Sequence, residues 1–268
     1  TLGSIVSPST RCGATGLRPT FGRVSRHGAM ALSWSMDKLG PICRSVEDCA
    51  LVFEAIHGPD GLDLTVHDRP FAWDPGRDVR HLRIGYLQSA FEQDRATKAF
   101  DDATLTALRG IGLELIPVTL PDEVPVNALR VILNAEAGAA FDELTRSGRD
   151  DQMVRQVRTA WPNSFRASRF IPAVEYIQAN RIRTMLMQQF HAMMDAVDVF
   201  VTPSFGGSVL LQTNLTGHPA VVLPNGFTEQ GTPVSVSFVG RLFGEADLLA
   251  VARAYQEATD FHRRRPAF

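Results

Sequence analysis

Apolar and polar positions alternate with two periods along this chain of 268 residues, and the changes of period predict its elements. Residues 1–43 are dense in Gly, Pro and Ser with short apolar stretches between them. They are expected to form loops with tight turns rather than regular helices. Ser45-Val-Glu-Asp48 then has the spacing of a capping box, with Asp in place of the usual Glu or Gln. An apolar run over 50–56 follows, and Gly58-Pro59 ends it, so one helix is predicted here. The polar stretch 57–81 reads as irregular surface.

Strands are predicted at 82–87 and 113–118, with a helix over 94–109 between them. That order predicts a crossover unit in a parallel or mixed sheet. Residues 124–147 read as one helix. Residues 172–197 read as a longer one, striped by Ile177, Ile182, Leu186, Phe190 and Met193-Met194. Further strands are expected at 199–202, 220–223 and 234–239. In the last of these, Val234, Val236 and Phe238 alternate with Ser235, Ser237 and Val239, which predicts a half-buried strand. An amphipathic helix over 245–259 ends the pattern, followed by basic residues that suit a helix carboxy terminus. The expected fold class is α/β: a mixed central sheet flanked by helices, in a single domain over 1–268.

Composition narrows the functional classes. At 44% hydrophobic and 21% charged, the chain has the make-up of an ordinary globular domain with a sizeable core. A formal net charge of -2 provides no basic footprint for nucleic acid. No apolar run nears the roughly 18 residues that span a bilayer, so no membrane partner is expected. Cys12, Cys43 and Cys49 lack metal-ligand spacing and fit reduced thiols of a cytoplasmic protein. No metal site and no cofactor is expected. Lysine occurs only at Lys38 and Lys98, both read as solvated surface residues.

The candidate chemistry lies at the front of the chain. A hydroxyl nucleophile needs a base for its proton and N–H groups for the oxyanion that develops. Ser4 follows Gly3, whose freedom at positive φ would let substrate approach the backbone closely. Successive N–H groups of Thr1, Leu2, Gly3 and Ser4 could form a nest for that oxyanion.

The neighbours of this turn extend the pattern. Cys12-Gly13, Gly16-Leu-Arg-Pro-Thr20, Gly22-Arg-Val-Ser25, Ser35-Met-Asp37, Gly40-Pro41 and Arg44-Ser-Val-Glu-Asp48 follow one another in order. A second set lies near the other end: Asp198-Val-Phe-Val-Thr-Pro203, Asn214-Leu-Thr-Gly-His-Pro219, Leu223-Pro224, Gly226 and Phe238-Val-Gly-Arg241. Together these runs resemble the amidase signature family, hydrolases and amidotransferases that cleave carboxamides through a serine acyl-enzyme. The middle of the chain, about 90–200, matches only in general character, and it is the part expected to shape the substrate pocket.

The resemblance implies an amidase signature fold and a triad of Ser, a second Ser and Lys, of which only Ser4 maps onto this sequence. It implies that the lysine and middle serine belong to a part preceding Thr1. The chain then reads as a carboxy-terminal portion, an incomplete copy that alone is expected to be inactive. The implied partner is a small-molecule amide, with a homodimer possible. Two alternatives stay open: the A subunit of a glutamine-dependent aminoacyl-tRNA amidotransferase, and an inactive fragment or binding remnant. Nucleic acid becomes a partner only under the first of these. Leu2 and Val6 stand where many relatives have Gly and Arg, so this loop brings no cation for a substrate carboxylate. Asp37 and Arg44 are expected to form a structural ion pair, with Asn214 and Thr202 as candidate groups at the pocket edge.

Overall fold

Seven strands form one mixed sheet in the computed structural model of the chain, which describes residues 2–264. In chain order the elements are α1 (Val6–Cys12), β1 (Thr15–Arg18), β2 (Ile42–Cys43), α2 (Val46–Ile56), β3 (Ile84–Leu87), α3 (Gln88–Phe91), α4 (Lys98–Gly110), β4 (Leu115–Val118), α5 (Arg130–Ala140), α6 (Asp142–Arg146), α7 (Trp161–Ser168), α8 (Ala173–Met194), β5 (Val199–Pro203), α9 (Val209–Thr216), β6 (Ala220–Phe227), β7 (Pro233–Gly240) and α10 (Glu245–Thr259). The strands lie side by side in the order β2-β1-β6-β7-β5-β3-β4. Strand β3 runs parallel to both β4 and β5, and the remaining pairs are antiparallel. The predicted β3-α4-β4 crossover is present in the parallel part.

Alternation along the central strands builds two cores. Val199 and Val201, Val221 and Leu223, and Val236 and Phe238 pack with α2, α4 and α10. Their neighbours Phe200, Ala220 and Val239 point the other way, against Phe190 and Met194 of α8 and Val209 of α9. A third cluster joins Ile132 and Leu133 of α5 to Leu186 of α8 and Leu215 of α9, and Met36 reaches into it. These contacts seat the loop around Met36 on the helices of the second face.

Several expectations need correction. Residues 1–43 are not wholly loop: α1 and β1 form there, because Val6 and Ser9 bury against the sheet and Gly13 ends the helix at φ 58°. Strand β7 is buried on both faces, since α1 covers the serine side and Ser235 and Ser237 each donate to Ser204 Oγ. The helix predicted over 124–147 is a 3-10 turn at Val126–Leu129 followed by α5 and α6, separated at Phe141. Helices α7 and α9 are not among the expected elements, and α9 has no clear period in the sequence. Every residue of α9 except Leu210 is buried, so it shows no polar stripe.

Helix α2 forms as its capping box predicts. Ser45 Oγ accepts from Asp48 N at 3.0 Å, and Asp48 Oδ2 accepts from Ser45 N at 3.1 Å. Among the described residues no helix is long and apolar enough to cross a membrane.

Candidate active site

Ser4 sits in the turn that enters α1 and is exposed. The turn is held by two hydrogen bonds: Gly3 O accepts from Ser7 N at 2.7 Å, and Leu2 O accepts from Asn214 Nδ2 at 3.4 Å. Helix α1 lies directly on β1 because Gly16 has no side chain. A Cβ there would stand 2.2 Å from Ser9 Oγ and 2.7 Å from Ile5 Cγ2. Gly16 therefore sets the height of the turn above the sheet.

Gly3 itself is not among the glycines at positive φ, and a Cβ on it would meet only Ser7 Cβ, at 3.8 Å. The expected left-handed turn is therefore not what Gly3 supplies; an open approach to the backbone is. Among the described residues the N–H groups of Leu2, Gly3 and Ser4 have no protein acceptor. Thr1, the fourth member of the expected nest, lies outside the described residues.

Ser4 lines a recess of about 380 Å³ together with Arg26, Asp37, Lys38, Leu39 and Asp63. Lys38 overturns the expectation of a solvated surface lysine. It is half-buried, and its Nζ donates to Met36 O at 2.8 Å and Asn214 Oδ1 at 3.3 Å. Burial first, then the nearby guanidiniums of Arg18 and Arg183, push the amine well below the ordinary lysine range. Lys98 fits its expected surface position on α4, where it pairs with Asp102 one turn away.

The other wall groups are already committed. Arg26 donates to both oxygens of Asp63, at 2.9 and 3.4 Å, and to the carbonyls of Trp34 and Asp37. The Arg26 hydrogen bond holds the Asp63 carboxyl far below the usual carboxylate range. Asp37 Oδ2 accepts from the N–H groups of Leu32 and Ser33, while Arg44 donates to the carbonyls of His262 and Arg264. Each partner of the expected Asp37–Arg44 pair is thus engaged elsewhere.

The loop carrying Asp37 and Lys38 is clamped from α5, α8 and α9. Glu136 accepts from Ser33 Oγ, from Ser35 N at 3.2 Å and from Tyr176 Oη at 2.8 Å. Arg183 donates to Ser35 Oγ at 2.7 Å, Ser35 O at 2.9 Å and Leu215 O at 2.6 Å. Asn214, expected at the pocket edge, is instead a buried residue of α9 joining Lys38 to Leu2. Thr202 is buried at the end of β5. The clamp leaves no signature in the sequence, because its members are spread from Ser33 to Leu215 and each side chain alone looks like an ordinary polar residue.

A larger cavity of about 1200 Å³ lies beside the recess, lined by Phe21, Glu136, Tyr176, Arg183, Leu242 and Phe243, among others. Much of its wall comes from α5 and α8, in the middle part of the chain expected to shape the pocket. Trp34 borders both spaces, whereas Ser4 and Lys38 border only the smaller. Ser4 thus faces the recess and not the larger neighbouring cavity. Among the described residues no cluster of His, Cys, Asp and Glu could hold a metal ion.

Comparison with known proteins assigns these features to a family. Residues 1–211 match the family model described as Amidase. The A subunit of the glutamyl-tRNA(Gln) amidotransferase of Geobacter metallireducens is 31% identical, with 99% of this chain and 64% of that protein covered. The corresponding protein of Moorella thermoacetica is 33% identical over 99% of this chain and 63% of its own length. Among solved structures, the native peptide amidase of Stenotrophomonas maltophilia superposes with a TM-score of 0.78 at 27% identity, covering 96% of this chain and 61% of that one. The chain therefore spans just under two thirds of the length of these relatives. Its mixed sheet flanked by helices is the fold of amidase signature structures, and the chain belongs to the amidase family.

Proposed function

We propose that Ser4 is the nucleophile of an enzyme that cleaves a carboxamide C–N bond through an acyl-enzyme. The observation that carries this reading is an exposed hydroxyl on a recess wall, next to three backbone N–H groups with no acceptor among the described residues, within the matched part of the chain. In the proposed reaction the Ser4 Oγ–H proton passes to a base as Oγ bonds the amide carbon. The carbonyl electron pair moves onto oxygen, where the N–H groups of Leu2, Gly3 and Ser4, with Thr1, hold the charge. The pair then returns, the C–N bond breaks, and the base returns its proton to the departing nitrogen. Water repeats the sequence to free the acid.

The base is proposed to be a lysine acting through a second serine, both in the third of the relatives' length to which residues 1–268 have no counterpart. Residues 1–268 alone are accordingly expected to show no appreciable turnover. The test is ammonia release from a panel of primary carboxamides, and amine release from their N-substituted counterparts, by the full-length protein and its Ser4→Ala variant. A loss on the order of 10³-fold or more on Ser4→Ala supports the assignment, and unchanged turnover refutes it.

A second reading, an amidotransferase A subunit, is supported by the amidotransferase relatives at 31% and 33% identity. Leu2 and Val6 depart from the expected glycine and arginine and weigh against it. Amide transfer to a charged tRNA that depends on added partner subunits, without hydrolysis of simple amides, would decide for that reading. In either case a small carboxamide is the proposed substrate, handled without a cofactor, and a cytoplasmic setting is proposed from the reduced cysteines.

A further inference from the structure

The cavity of about 1200 Å³ beside the Ser4 recess has no part in the proposed reaction. It is slightly larger than the roughly 300–1,000 Å³ of most small-molecule sites and, like them, has a mainly apolar wall. Phe21, Ile171, Met187, Leu242 and Phe243 line it, and the half-exposed indole of Trp34 stands where it meets the recess. An apolar space of about 150 Å³ already holds a benzene ring, so this one admits a body of several rings.

The ionic groups on the wall besides His67 are two carboxylates and two guanidiniums, and each is engaged within the protein. Glu136 accepts from Ser33, Ser35 and Tyr176. Every nitrogen of the Arg183 guanidinium donates, to Leu215 O, Ser35 Oγ and Ser35 O. Asp142 pairs with both Arg146 and Arg169. His67 sets its ring edge-on to that of Phe243, with centroids 5.7 Å apart. Among the described residues, none of these four charges is left over for a carboxylate or ammonium of a ligand. An ion placed there unpaired would lose its hydration without replacement.

The backbone that carries Trp34 is fixed by its neighbours. Its carbonyl accepts from Arg26 Nη1 at 2.6 Å, and the next residue, Ser35, is gripped from α5 and α8. The passage between the two spaces is thus set before a ligand arrives, which lowers the cost of ordering it.

We propose that this cavity is the subsite for the body of the substrate: a large, uncharged aromatic group that lies past Trp34 while its carboxamide sits at Ser4. The preferred substrate is then an arylalkyl carboxamide. Glutamine, with an α-carboxylate and an α-ammonium, is a poor one. This inference rests on the amidase reading for the carboxamide, but its test reads binding rather than turnover.

The test uses the full-length protein carrying Ser4→Ala and 1-naphthylacetamide, followed by its own fluorescence anisotropy, with acetamide and L-glutamine as competitors. The naphthyl compound is expected to bind on the order of 100-fold more tightly than either, the effect of removing about 110 Å² of apolar ring surface from water. Trp34→Ala should cut that preference about tenfold, and Trp34→Phe should restore most of it. Met187→Glu, which sets a carboxylate on the α8 wall, should also cut it about tenfold or more. Both side chains are exposed, so near-parental urea midpoints are expected and separate lost binding from lost fold.

Acetamide binding as tightly as the naphthyl compound would overturn the proposal, and is the result expected if another part of the full-length protein fills the cavity. Tighter binding of glutamine, or a preference unmoved by Trp34→Ala or by Met187→Glu, would also overturn it. Hydrolysis of simple amides without any preference for the ring system would refute this inference and leave the amidase reading standing. The expected preference in a protein that hydrolyses no amide would do the reverse.

Discussion

His218 shows how one side chain takes its character from burial. Its Nδ1 lies 2.8 Å from Thr216 Oγ1 and its ring packs at 4.5 Å from that of Phe190. Desolvation, then the charges of His191, Arg18 and Lys38, lower its pKa to about 3. Since an unfolded histidine titrates near 6.5, the unfolded chain binds the extra proton between about pH 6.5 and 3. Stability from this group is full above 6.5 and is lost as pH falls through that window, by roughly 1.4 kcal/mol per pH unit. Replacing His218 by Gln should flatten that part of the curve of unfolding free energy against pH in urea titrations; an unchanged slope would show that other groups produce it. The same residue scale decides Lys38, since neighbours brought from β1, α8 and α9 change what its nitrogen can do.

At the scale of elements, the placement of Ser4 depends on how closely α1 approaches β1. Gly16→Ala puts a methyl group into Ser9 and Ile5, and overpacking of this kind costs about 1–3 kcal/mol. The expected result is a lower urea midpoint together with a disproportionate loss of activity, because the helix that follows Ser4 must lift off the sheet. A variant as active and as stable as the parent would show that the gap can relax. Helix α2 offers a control away from the site. Ser45→Ala removes the side-chain arm of the capping box and should cost about 1 kcal/mol, while KM and kcat of the protein stay as they were. Chemical denaturation and steady-state kinetics on the two variants separate these effects.

For the whole molecule, the central strands β5, β6 and β7 are covered on both faces and pair along their lengths. Their amides should exchange with solvent only through global unfolding. The segment 57–81, with no helix or strand of its own apart from one bridge between Val24 and Gly58, should exchange far faster. Hydrogen-exchange mass spectrometry checks this ordering, and fast exchange in β6 or β7 would contradict the described packing. The Ser4 recess draws its walls from both kinds of region. Arg26 and Asp63 hold its rim by an ion pair, while Lys38 is tied through Asn214 to the buried helix α9. The rim is therefore expected to move more readily than the floor.

Local patterns in the amino-acid order determined much of this molecule. The capping box at Ser45, the strand-helix-strand crossover through α4, the long helix α8 and the motif that places Ser4 in a turn are all short-range signals. Each depends on residues within one or two turns of one another, so periodicity and cap chemistry register them. Tertiary structure alone decided the rest. The serines of β7 look solvent-facing until α1 covers them, and α9 has no polar stripe because protein surrounds it. Lys38 reads as an ordinary charged residue until Arg18, Arg183 and Asn214 arrive from 20, 145 and 176 positions away. Desolvation and the field of distant charges are properties of the packed state, and no window along the chain contains them.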